Sequence, residues 1–532
     1  MFDLKKNSAR ILLIILLGLS AWLRFHNLGE IKGFIFDEVY FARFAQDYLT
    51  FQECPEFMLK GGYSRNAGCY DVHPPLGKLL IALGQSLCEP TDFRLRKNFN
   101  REFPKKNVWC WRVVPAFFGS GLILIFFLLG TLLFRNEWWG LVAAAFVSLD
   151  NLLLVHSRMA TLDIFLVFFI LLAVLLFFLA DKGKKSRRAL NSAKQNGNDS
   201  NVAASFNRIK TPLLYALSGV SVGLAAGVKI SGFTVLGIFA ILGIWDYIWD
   251  RRKRQHRRNT TKTPTINRKR MFQMFFLWVS IGAISLFTFV LTLYLPRLIM
   301  GHVFPWDTDL WSKLFFHLSI SETPAGSSPF YVWPFSGGAV VYFKNLYFNV
   351  EGSLSEAVFI IGNGNHLMWW WSLGTLMVML AKIPAKTTRR ADSKRTTNSM
   401  TLITPTAPTA TTAPITKVSI HPLAVPTILS GFILFLAPWA VMSLFSDRES
   451  FLHHFLPALP FQLMAGVLGI HRLWHNTRWN KTRRWGRVSA LVLMAAFLSW
   501  FIYILPVSTG QPQRPEKLAP RLYMTGVSKP PR

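Results

Sequence analysis

Long, charge-free apolar runs decide what this chain can fold into. Ile11–Leu19, Gly121–Phe134, Ile164–Ala180, Val235–Ile248, Met274–Leu295 and Leu491–Leu505 are too uniformly apolar for amphipathic helices around a water-soluble core. Several approach the roughly 20 residues that cross a hydrocarbon layer. Lipid offers no partner to a backbone N–H or C=O, so such runs satisfy their hydrogen bonds internally, as helices. The expected fold class is an all-α polytopic membrane protein.

The formal charge of +32 belongs to the same picture. The basic residues cluster in short loops between apolar runs, and such loops stay in the cytoplasm, which sets orientation. The expected spans are 8–25, 113–134, 139–156, 161–180, 212–228, 231–249, 272–296, 367–383, 422–445, 454–472 and 486–506. The N-terminus is expected inside: Lys5, Lys6 and Arg10 precede the first run, and no small-residue cleavage site follows it, so it reads as an uncleaved span. This count puts the basic segments 181–211, 250–271 (with RRKRQHRR) and 473–485 inside, and the C-terminus outside. Loop 297–366, whose only cations are Arg297, Lys313 and Lys344, falls outside. Loop 26–112 carries more charge, but long loops are largely exempt from the rule.

Cys54, Cys69, Cys88 and Cys110 all lie in that first outer loop, as expected of an oxidising compartment. Three pairings are possible, of which Cys54–Cys69 with Cys88–Cys110 closes the shortest loops and is the one expected. Residues 184–209, rich in Asn, Ser and Lys, and 384–421, rich in Thr, Pro and Ala, bury too little apolar surface and are expected to be disordered. The organisation read from this is a membrane region over 1–383 that includes outer loop 26–112, a cytoplasmic disordered loop at 384–421, further spans over 422–506, and an outer tail at 507–532.

The outer segments hold the chemistry. Asp37-Glu38 lies just past the first span, and Tyr70-Asp71-Val72-His73-Pro74-Pro75 leads into Leu76–Leu87, too short to span and read as an interfacial helix. Arg112 opens the second span; Arg158 and Asp163 occupy the turn after the third; Lys229 follows the fifth; Arg448 and His454 border the tenth. Charges at helix ends near a bilayer are costly and point to function. Cations suit a lipid phosphate, which Arg grips through paired hydrogen bonds. A neighbouring carboxylate can act as general base toward a hydroxyl or amine. A polyprenyl-phosphate sugar needs both, with cations stabilising the charge that develops on the departing phosphate.

FDEVYF, YDVHPPLGKLL, WRVVPAFFG, SRMATLDIFL and GLAAGVKISGF, then SSPFYVWPF, IIGNGNHLMWWW and FLHHFLPALPF, occur in the order found in the protein O-mannosyltransferase family, which the chain resembles over most of its length. The resemblance implies a GT-C glycosyltransferase fold of about eleven spans. It also implies inverting transfer of mannose from a polyprenyl-phosphate carrier to Ser or Thr of translocated secreted or membrane proteins, met at the translocon. Neither a cofactor nor a metal is implied beyond that lipid-linked donor, and nucleic acid is no partner. By motif, Asp37 resembles the catalytic base, Glu38 its partner and Arg112 the lipid-phosphate contact; His73, Arg158, Asp163, Lys229 and His454 fall near the site. The chain departs from the family pattern in a longer Asp37–Asp71 spacing. Loop 297–366 also has no room for the β-trefoil MIR domain of eukaryotic members, which favours a bacterial-type protein in the inner membrane with a periplasmic site; the ER membrane is the alternative.

Other readings carry less. Asp307-Thr308-Asp309 is a three-residue pattern that arises by chance, and the adjacent His453 and His454 lack the i, i+4 spacing of a helical metal pair. The run Trp369–Trp371 sits where aromatic belts meet the interface. The sequons at Asn198, Asn259 and Asn480 fall on the expected inside. Two alternatives stand beside protein mannosylation: a related transferase acting on a lipid or glycan, such as aminoarabinose transfer to lipid A, and a flippase for lipid-linked sugars. A flippase would call for midplane charges and repeated halves, which the sequence lacks.

Overall fold

The computed structural model describes residues 4–50, 72–88, 108–194, 201–258, 268–300, 326–381, 420–445, 450–475 and 480–527. Arg448, Cys54, Cys69, Asp307, Asp309 and nearly all of loop 384–421 lie outside them, as does the side chain of Cys88. Among the described residues the helices are α1 (Leu4–Phe25), α2 (Glu38–Thr50), α3 (Leu76–Cys88), α4 (Trp109–Phe134), α5 (Glu137–Ser148), α6 (Asn151–His156), α7 (Asp163–Lys194) and α8 (Asn201–Val228). They continue with α9 (Thr234–Arg258), α10 (Arg268–Met300), α11 (His366–Ala381), α12 (Ala424–Phe445), α13 (Leu459–Trp474), α14 (Asn480–Thr509) and α15 (Pro515–Met524). Eight helical segments, in α1, α4, α7, α8, α9, α10, α12 and α14, are long and apolar enough to cross a membrane.

The expected spans 139–156, 367–383 and 454–472 take a different form. The first is broken by Asp150, whose Oδ1 caps α6 by accepting from Leu153 N and whose Oδ2 accepts from Trp369 Nε1 at 2.6 Å. The other two become the 16-residue helices α11 and α13, each about 24 Å long at 1.5 Å per residue. Nearly all of α13 is buried among other helices. Protein rather than lipid surrounds its backbone, which relaxes the need to match the bilayer.

One expectation is corrected. Most of 184–209 is helix, because α7 runs on to Lys194 and α8 starts at Asn201. The fold is mostly helical, as expected, and adds a hairpin, β1 (Val340–Phe348) paired antiparallel with β2 (Leu354–Gly362). Its turn closes at Gly352, φ 78°, where Gly352 N donates to Asn349 O and Asn349 Oδ1 accepts from Ser353 N. The tail is ordered through Val527: α15 packs on β2, and Ala357 bridges to Gln513.

The chain's reversals sort the helix ends. One end of the bundle gathers the C-termini of α1, α6 and α8, the N-termini of α4 and α7, and the His453–His454 turn. The opposite end gathers Phe134–Glu137, where Glu137 pairs with Arg10 of α1, and His421, whose N–H reaches Leu133 O. Close packing along α8 comes from Gly219, Gly223 and Gly227, spaced one turn apart against α10. A Cβ at Gly223 would fall 2.5 Å from the Ser285 carbonyl oxygen and from Thr288 Cβ. Lipid gives no hydrophobic drive for helix pairing, so such small-residue contact supplies the dispersion that holds the two helices.

Gly223→Leu should therefore lower stability by about 1–3 kcal/mol, seen as a reduced unfolding temperature in detergent. Gly374→Ala, where an added Cβ meets nothing within 4 Å, should leave that temperature in place.

Candidate active site

The site is organised by the path of residues 26–37, which link α1 to α2. Arg112, in the first turn of α4, is only 1% exposed and spends all five of its N–H groups there. Nε donates to Glu38 Oε1 at 2.9 Å and Nη2 to Glu38 Oε2 at 2.8 Å. Nη1 donates to Leu28 O and Ile31 O, and Nη2 also to Gly33 O. Glu38, fully buried, further accepts from Ile35 N at 2.8 Å and from Ala160 N at 2.9 Å. A buried carboxylate and guanidinium survive desolvation only when their lone pairs and protons are met in this way.

The Arg112 fork, expected to meet a lipid phosphate, is taken up in this structure by Glu38 and three carbonyls. Arg158 is engaged through one nitrogen: Nη1 donates to Leu23 O, Arg24 O and His26 O, closing the C-terminus of α1, where a cation also meets the negative end of the helix dipole.

Asp37 is different from its neighbour. Phe36, immediately before it, adopts φ 50°, a left-handed conformation costly for a side chain with Cβ. The Phe36 ring is held against Tyr342, Phe451 and His453 with centroids 4.7, 5.5 and 5.5 Å away. The Asp37 carboxylate is partly exposed and, among the described residues, has no hydrogen-bond partner. Desolvation pushes it up to about 7; the Asp163 carboxylate adds to the rise and the Lys229 ammonium opposes it. Asp163, opening α7, and Lys229, following α8, are joined at 2.6 Å.

Sequence reasoning missed Tyr342 of β1. Its hydroxyl lies 2.9 Å from His156 Nε2, and His156 Nδ1 lies 3.1 Å from Thr161 Oγ1. Burial, then the negative charges of Asp163 and Asp37, hold the phenol well above its usual range, so it remains a donor. A lone Tyr in a loop offers no pattern; the alternating aromatic and β-branched run around it does signal a strand. His454 sits beside this group, with Nδ1 2.9 Å from Ser450 Oγ and its ring 4.4 Å from that of His453. His73 lies farther along, its carbonyl accepting from the buried Lys78 and its ring 6.1 Å from Phe41. Cys110 is disulfide-bonded. No cluster of metal-binding side chains occurs among the described residues.

A family model for dolichyl-phosphate-mannose-protein mannosyltransferase matches residues 14–302, and a second, for the C-terminal four-transmembrane region of protein-O-mannosyltransferase, matches 311–525. The chain is 25% identical over 383 residues to the polyprenol-phosphate-mannose–protein mannosyltransferase of Corynebacterium glutamicum, covering 67% of this chain and 68% of that one. It is 29% identical over 177 residues to protein O-mannosyl-transferase 1 of Danio rerio, covering 33% of this chain but only 23% of that relative's length. Among solved structures, the Saccharomyces cerevisiae protein O-mannosyltransferase Pmt1-Pmt2 complex bound to its sugar donor superposes with a TM-score of 0.67 at 15% identity, over 98% of this chain and 92% of that one. The fold is that of the GT-C glycosyltransferases.

The two adjacent carboxylates should separate in a stability measurement. Glu38→Ala strands the buried Arg112 and should cost about 3–5 kcal/mol, read as loss of the folded peak in size-exclusion chromatography or a lowered unfolding temperature. Asp37→Ala removes a group with no hydrogen bond and should change stability by about 1 kcal/mol or less.

Proposed function

Because the chain belongs to the dolichyl-phosphate-mannose-protein mannosyltransferase family, we propose that it transfers mannose from a polyprenyl-phosphate carrier to Ser or Thr hydroxyls of proteins on the outer face of its membrane, with Asp37 as general base. The observation that carries this reading is the contrast between the two acidic neighbours. Glu38 is committed to Arg112 and to two backbone amides, whereas Asp37 is partly open, without a hydrogen bond, and near neutrality in its proton affinity. A base poised near the working pH is the one best matched to proton abstraction.

In the proposed step the Asp37 carboxylate takes the acceptor hydroxyl proton as that oxygen forms its bond to the sugar C1. The bond from C1 to the phosphate oxygen breaks, its electron pair leaves with the polyprenyl phosphate, and the configuration at C1 inverts. Negative charge gathering on the phosphate calls for a cation that Arg112 cannot supply. Lys229 gives one donor to Asp163 and retains two, so it is suited to that charge. Glu38, Arg112 and Arg158 act as positioning residues. Asp163 orients Lys229, and the hydrogen-bonded Tyr342 and His156 belong to the same group.

Membranes containing the chain, supplied with radiolabelled polyprenyl-phosphate-mannose and a Ser/Thr-rich peptide, should label the peptide, and Asp37→Asn should reduce that rate by about 10²–10⁴-fold. Label entering a lipid fraction instead of peptide would overturn the acceptor assignment. Only the deprotonated carboxylate accepts a proton, so kcat/KM should rise with pH through about 7 and level off above it. In Lys229→Met the cation that favours ionisation is gone, and the same acid limb should move to higher pH.

A further inference from the structure

The end of the bundle opposite Asp37 contains two adjoining cavities that the transfer reaction does not use. One, of about 630 Å³, is apolar and aromatic, lined by Trp138, Trp139 and Trp474 together with Leu141 and Met494. The other, of about 440 Å³, is polar and includes Lys182, His421 and Glu137. Arg135 and Asn136 line both. They form the turn between α4 and α5, and Arg135 ends α4 in the left-handed region at φ 57°.

Charge distinguishes the polar cavity. Its one carboxylate, Glu137, is engaged by Arg10 through Nε and Nη2 at 2.8–3.3 Å, which offsets its negative charge. Arg135 and Lys182 are exposed, and Lys182 has no ion pair or hydrogen bond among the described residues. By the charge of its loops this end faces the cytoplasm, and Trp138, 49% exposed, stands at the boundary where an indole is best placed. An apolar groove continuous with a cationic pocket at the membrane surface matches a molecule with a hydrocarbon tail and a phosphate head.

We propose that the two cavities form one site for an anionic phospholipid of the cytoplasmic leaflet, its phosphate between Arg135 and Lys182 and an acyl chain along the Trp138–Trp474 groove. Cations near the surface discriminate in favour of anionic lipids, and a fork such as Arg135 grips phosphate oxygens in pairs.

The test uses the purified full chain in detergent, equilibrated with equal amounts of phosphatidylglycerol and phosphatidylcholine of the same chain length and examined by native mass spectrometry. Wild type should retain one phosphatidylglycerol with a preference of roughly 30-fold over phosphatidylcholine, the product of two surface cations. Arg135→Gln/Lys182→Gln should bring that preference near parity, and Trp474→Ala should weaken retention of both lipids. Equal retention of the two lipids by wild type, or an unchanged preference in the double variant, overturns the proposal. So does displacement of the lipid by millimolar inorganic phosphate alone, which would make the pocket a free-anion site. Lys182→Gln alone, at an exposed position, keeps the test valid if the double variant unfolds at a lower temperature than wild type; it should lose part of the preference.

Discussion

The Glu38–Arg112 pair is the interaction on which the Asp37 end of this molecule depends. Two charges are withdrawn from water at a membrane boundary, and every proton and lone pair between them is answered. Three carbonyls of the link after α1 converge on one guanidinium. The carboxylate in turn holds amides at Ile35 and at Ala160. The first span, the start of α4 and the turn before α7 are therefore fixed to one another through two side chains. Asp37 is carried on that frame, and the left-handed turn at Phe36 sets it apart from Glu38 although the two are consecutive in sequence. The carboxylate proposed as base keeps its oxygens unspent and the structural one keeps none; the same dipeptide supplies both.

The rest of the bundle serves to bring distant helix ends to that frame. Where helices pair side by side in an apolar medium, small residues allow the approach, as along α8 against α10. Where a helix is interior, as α13 is, its length is set by its neighbours and not by the bilayer. Buried polar side chains complete the interior where helices break. Asp150 caps α6 and accepts from Trp369, while Asn365 donates to Leu149 O and Phe497 O across three helices. These contacts tie the late helices α11 and α14 to the early ones without any contribution from lipid.

Much of this was legible in the chain. The helices lie where the apolar runs fall, because a backbone in lipid has few alternatives. Asp37, Glu38, Arg112, Arg158, Asp163 and Lys229 were marked by being charges at helix ends. Residue type alone did not reveal which of them bond to one another. Arg112 carries the same signal whether it holds a phosphate or Glu38, and the 74 residues between the pair hide the difference. Tyr342 and the hairpin were overlooked because membrane periodicity dominated the reading of a loop whose Asn349–Ser353 turn and flanking β-branched and aromatic residues were a strand signal. The persistence of helix into 184–194 and 201–209 had no clear sign in a polar composition.

The C-terminal segment has a temporal consequence. Gly510, at φ 72°, sits so close to Ile31 that a Cβ there would collide with it and press on Ile360, and Ser508 and Thr509 line a crevice with Asn27, Leu28 and Arg112. Residues 27–31 and 508–510 thus share one wall despite their distance along the chain. Contacts of such sequence separation cannot form during most of synthesis. The early Asp37 link must wait, already inserted, for α14 and α15 to arrive before its surroundings are complete. That wall closes only when the helix α14 packs against a link made hundreds of residues earlier, so its last side is supplied from far along the chain.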